Sequence, residues 1–128
     1  MPETEKITIN MSAVDLGKVD LLVQESLYSN RTDFIRTAIR GQLEKHTLEI
    51  QQSVARNSYV VGVLSFSRSD LEKWKAKGEK RKITILGLLH LHEDIPADLA
   101  AEVIGSIKLL GIFIASEEVK AALADRMK

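Results

Sequence analysis

Three sets of side chains in this chain have types and spacings that suit recognition or chemistry. Lys6, Thr8 and Asn10 are every second residue of KITINM. Alternate residues of a strand share a face, so an ammonium, a hydroxyl and a carboxamide line up on one side. Such groups can meet base edges in the major groove. Lysine donates to guanine O6/N7 or phosphate, asparagine reads adenine N6/N7, and threonine donates, accepts or touches a thymine methyl. The second set is Asn30–Arg31–Thr32, at the start of a helical stretch. There, free N–H groups at the positive end of the helix dipole can hold an anion such as phosphate. The third is His90-x-His92, two imidazoles on one strand face with metal-ligand spacing. No cysteine completes such a site and His46 is the one other histidine, so no metal ion is expected. Ser65, Ser67 and Ser69 lie near no base identifiable from sequence, and a glycine-rich phosphate loop is absent. Neither an enzyme nor a cofactor is expected.

The elements that position these residues follow from periodicity. KITINM alternates, with Ile7, Ile9 and Met11 opposite the polar trio. A lone strand leaves its ladder groups unpaired, and Ser12 begins a helix before any hairpin partner can form. The economical solution is a twofold dimer in which the strand pairs with its own copy. Ser12, with Asp15 three residues on, caps a first helix carrying Val14, Leu16, Val19, Leu22, Val23 and Leu27 near one face. Asn30, with Asp33, caps a second helix buried through Phe34, Ile35, Ala38, Ile39 and Leu43. Its spacing continues through Ile50 and Val54, which predicts a connector helix running to about Arg56.

From Tyr59 the texture changes. YVVGVLSF, ITILGLLHL and KLLGIFIA each precede a helical segment, with central glycines Gly62, Gly87 and Gly111 spaced by 25 and 24 residues. This reads as a β-α unit used three times, with Ser69, Asp94 and Ser116 as helix caps. The continuous apolar strands imply burial on both faces, and with it a further contact between copies through this region. Trp74 is expected to pack on the neighbouring sheet, and Arg68–Lys82 to form a solvated, lysine-rich helix and turn.

The stretch Lys6–His46 resembles the ribbon-helix-helix module of MetJ/Arc/CopG-type DNA-binding proteins. The alternating strand, the Ser12 helix start, Tyr28–Arg36 and the register of Ile35–Ile39 carry the likeness, which covers about a third of the chain. The resemblance implies that the outward strand residues Lys6, Thr8 and Asn10 contact bases. It also implies that Asn30, Arg31 and Thr32 grip phosphate. Leu27 stands where such proteins usually have glycine, which would strain a left-handed turn there. The layout, a ribbon-helix-helix module before a small α/β domain, is loosely similar to that of nickel-responsive regulators, which carry a similar His-x-His. Their C-terminal domain is ferredoxin-like (ACT-like) with order βαββαβ; the order here is βαβαβα.

These readings define an α+β chain of 128 residues. Residues 1–57 form the ribbon-helix-helix DNA-binding and dimerisation module, and residues 58–128 a small α/β domain, ferredoxin- or ACT-like, for oligomerisation or effector binding. Formal net charge is zero, and residues 1–47 carry six cationic against seven anionic side chains. That balance opposes promiscuous attraction to phosphate but not specific binding. No disulfide is possible, and no signal peptide or membrane span is evident, so a soluble, cytoplasmic protein is expected. The expected function is a sequence-specific transcriptional regulator acting on double-stranded DNA as a homodimer or tetramer, with room for a small-molecule or metal effector. The alternative is an antitoxin-like protein-interaction module built on the same dimer.

Overall fold

A computed structural model describes residues 4–127. Residues 6–53 form one compact unit and the chain from Val54 onward another.

In the first unit, α1 (Ala13–Gln24) begins at Ser12, whose hydroxyl accepts from the Asp15 N–H at 3.1 Å. It ends in a Schellman motif: the Leu27 N–H donates to Leu22 O and the Ser26 N–H to Val23 O. The left-handed residue of that turn is Ser26, at φ 65°. The strain expected at Leu27 therefore falls one residue earlier, on a small polar side chain, and leucine takes the position beyond it. α2 (Arg31–Lys45) follows. The predicted run to Arg56 breaks at His46 and resumes as α3 (Thr47–Asn57). The break is local chemistry: the His46 N–H turns back to Leu43 O, and the Thr47 hydroxyl caps Glu44 O at 2.7 Å. The alternation of KITINM predicts a strand, but Lys6–Met11 forms none and has no ladder partner among the described residues, since a strand without a neighbour has nothing to hold its ladder groups.

The second unit alternates strand and helix: β1 (Val60–Phe66), α4 (Arg68–Ala76), β2 (Arg81–Leu91), α5 (Ala97–Val103), β3 (Ile104–Ile114) and α6 (Glu117–Leu123). The three strands are all parallel, in the order β1-β2-β3. The βαβαβα order read from the sequence is present. The ferredoxin- or ACT-like reading is not, because a βαββαβ chain must pair its central strands antiparallel. β3 begins at Ile104, four residues before the expected Lys108, since Ile104 and Ile107 are needed as fully buried core positions.

Strand alternation divides this sheet into two unlike faces. Ile83, Ile85, Leu89 and Leu91 of β2, with Ile107 of β3, pack in one core. The same core takes Leu71 and Trp74 of α4, Leu99, Ala100 and Val103 of α5, and Val119 and Leu123 of α6. Successive strands added on one side, with crossovers of one hand, put every helix on the same face. Trp74 packs as expected, edge-to-face with Phe66 at 4.9 Å between ring centroids. The caps differ from those read in the sequence. α4 is capped by Ser67 rather than Ser69, in a reciprocal box with Asp70. Asp94 caps α4, accepting from the Arg68 N–H at 3.2 Å, while α5 starts at Pro96 with no side-chain cap. Ser116 caps α6 as read.

The three glycines of the repeat are in register, Gly62 beside Gly87 and Gly87 beside Gly111. All three have positive φ, 134°, 143° and 130°. A Cβ on Gly87 would clash with the carbonyl oxygen of Gly62, and one on Gly111 with that of Gly87. The near-equal spacing of 25 and 24 residues thus has a backbone cause. Each β-α unit must return the chain to a level where the neighbouring strand's carbonyl needs the room.

Candidate nucleic-acid interface

The start of α2 is built by a short set of local bonds. Asn30 sits in extended geometry and its Oδ1 accepts from the Asp33 N–H at 2.8 Å. Asp33 Oδ2 accepts in turn from the Ser29 N–H at 2.9 Å. Tyr28 and Phe34 meet edge-to-face at 5.0 Å, clamping the entering chain onto the first turn. With the Asp33 N–H taken by the cap, the N–H groups of Arg31 and Thr32 are the first-turn donors without an intrahelical partner. Asn30, Arg31 and Thr32 are all exposed. The structure therefore brings the expected phosphate-binding trio together at one helix end.

The Arg31 side chain is not idle there. Its guanidinium forms a two-pronged pair with Asp20 of α1, Nε to Oδ1 at 2.8 Å and Nη2 to Oδ2 at 2.9 Å. The hydrogen bond from Arg31 holds the Asp20 carboxyl below its ordinary pKa, and Asp20 raises that of Arg31. A guanidinium has five N–H donors, so the pair with Asp20 does not use them all. Asp20 fixes the fork at the head of α2 and offsets its positive charge. Sequence spacing gave no signal for this contact, because the partners are 11 residues apart on different helices.

Lys6, Thr8 and Asn10 are exposed, and so are the residues between them, Ile7 at 79 % and Ile9 at 66 %. Among the described residues nothing covers the apolar side of this segment. The same holds for the helices behind it. α2 and α3 bury no residue, and α1 buries Val19 alone. Val14, Leu21, Ile39 and Leu43 are each more than half exposed. A unit of two capped helices with one buried side chain does not close a core by itself.

The histidine pair lies elsewhere, on the helix-free face of the sheet at the C-terminal end of β2. His90 and His92 stack at 4.6 Å, 26° apart. Ser65 of β1 lies between them, its Oγ 3.2 Å from His90 Nδ1 and 2.9 Å from His92 Nε2. The sequence identifies no base near Ser65; strand register, with Ser65 beside His90, makes the contact. One hydroxyl proton cannot serve both rings, so Ser65 donates to one and accepts from the other. Burial, then the neighbouring His92, holds the His90 pKa below its ordinary value. Among the described residues no group of three or more histidine, cysteine or carboxylate side chains is placed to hold a metal ion.

Residues 2–120 match a family described as the ribbon-helix-helix transcriptional regulator family. The chain belongs to that family. The match extends through both units and so includes the parallel sheet as well as the helices that carried the resemblance. No curated protein and no solved structure matches the chain. Among the described residues no helix is long and apolar enough to cross a membrane.

Proposed function

We propose that this regulator is a cytoplasmic, sequence-specific DNA-binding protein that works as a homodimer. Lys6–Met11 pairs with its copy across a twofold axis, turning Ile7, Ile9 and Met11 of both chains onto the helices. The two-stranded ribbon then carries Lys6, Thr8 and Asn10 into the major groove, where they read bases. Asn30, Arg31 and Thr32 hold flanking phosphates and set the register without reading sequence. The observation that carries this reading is the missing core of residues 6–53, a single buried side chain beneath a row of exposed isoleucines, valines and leucines. An obligate dimer has that appearance when one chain is taken alone. The C-terminal α/β domain, from residue 58, extends the assembly and is the place for an effector.

Selection of bound fragments from a genomic DNA pool, repeated at several salt concentrations, identifies the operator. On that operator Thr8→Ala and Asn10→Ala each cost about 1–3 kcal/mol, with non-specific affinity unchanged. Arg31→Ala weakens all DNA about equally and lowers the salt slope by about one. Operator affinity indifferent to both strand substitutions refutes base reading by this ribbon. Failure to select DNA, together with a stoichiometric unrelated protein partner, would support the antitoxin-like reading instead.

A further inference from the structure

We propose that the helix-free face of the β1-β2-β3 sheet is covered by the same face of a second copy of this chain. The inference rests on the dimeric reading above for the supply of that copy, and concerns a different surface. Three rows of side chains form the face. Val61, Leu86 and Leu110 are in register, then Val63, Leu88 and Ile112, then Ser65, His90 and Ile114. Leu88 is 4 % exposed yet lies outside the core beneath the helices, so the face has a closed centre of its own. Around it Val61, Val63 and Leu110 are 64 %, 51 % and 54 % exposed. Parallel sheets occur almost only with both faces covered.

The ends of the face identify the occupant. Past the apolar rows, toward the N-terminal ends of the strands, come Thr84 and Lys108, with Lys82 one step further. Lys108 is held there by Asn57 Oδ1 at 3.2 Å and by the Tyr59 ring. At the other end are Ser65, His90 and His92, with Glu93 close enough to act on His90. A twofold axis across the strands at Leu88 lays Val63, Leu88 and Ile112 on their own copies. The same axis brings the lysine end of each sheet over the histidine and glutamate end of the other. The alternative axis, along the strands, would set lysine against lysine.

Area argues for the same occupant. Seven residues of three strands cover about 330 Å² in projection, or about 500 Å² of accessible surface once side chains are included. Two copies then bury about 1,000 Å², the lower limit for a specific interface. That is marginal for two proteins that meet from solution. It suffices for copies already joined through their N-terminal modules, where the effective concentration is high.

The chain has no cysteine, so single cysteines can be placed freely. Val63→Cys in the full chain, treated with a short bis-maleimide, should give a covalent dimer as the main product. Lys73→Cys, on the outer side of α4, should give at least tenfold less. Adding Leu110→Asp to Val63→Cys should reduce the yield to the Lys73→Cys level while Trp74 fluorescence stays native. Equal yields from Val63→Cys and Lys73→Cys, or a Val63→Cys product with an unrelated protein from native extract, overturn the proposal. None of these readings requires DNA, so loss of operator binding and loss of this interface are separately visible.

Discussion

The glycine ladder supports the most demanding prediction, that Gly87→Ala strongly destabilises the C-terminal unit. Two costs add at this position. An L side chain at φ 143° is in a region that glycine almost alone occupies, which costs about 1–3 kcal/mol. The new Cβ also meets Gly62 O, a backbone atom that no rotamer change can move. Relief requires β1 and β2 to separate at their middle, losing one or two ladder hydrogen bonds at about 1 kcal/mol each. The sum of about 2–5 kcal/mol is a large share of the 5–15 kcal/mol that holds a typical domain. Gly62→Ala is the internal control: its φ is 134°, but no atom lies within 4 Å of the added Cβ. It should lose the backbone cost alone, about 1–3 kcal/mol. Trp74 is the one tryptophan and lies in the core of this unit, so its fluorescence in a urea titration reports the right transition. All variants are compared at one protein concentration, because association adds to apparent stability. A Gly87→Ala midpoint equal to wild type, or no lower than that of Gly62→Ala, would refute the clash and with it the explanation of the repeat spacing.

Two further outcomes follow. Ser26 holds the left-handed position of the α1–α2 turn, so Ser26→Gly should stabilise the N-terminal unit by up to about 1 kcal/mol in thermal denaturation, with DNA affinity unchanged. His90 is held below its ordinary pKa by burial and by His92, so the unfolded chain binds the proton more readily than the folded one. Stability contributed by neutral His90 is therefore full well above an ordinary imidazole pKa of about 6.5 and declines as pH falls through it. Replacing His90 with glutamine should flatten that decline in urea titrations between pH 7.5 and 5.5; an unchanged slope would show that another group is responsible.

Much of this molecule was determined locally and could be read in order along the chain. Ser12, Asn30 and Ser116 cap helices because a short side-chain oxygen finds its N–H three residues on, a contact needing no other part of the chain. The β-α repeat was legible because apolar runs of strand length were punctuated at a constant interval. The family followed from the same local features in the first third. Other things were decided only by segments meeting at a distance. Asp20 takes Arg31 from across the helix pair, Asp94 caps a helix 26 residues earlier, and Ser65 settles between two histidines. Parallel pairing is likewise a choice among packings that share one periodicity. It collects α4, α5 and α6 on one side and leaves the other with an apolar middle, which strand alternation alone does not reveal. The glycines show both levels together. Their positions are written in the chain, but the need for them arises only when one strand's carbonyl comes to rest where the next strand's Cβ would have been.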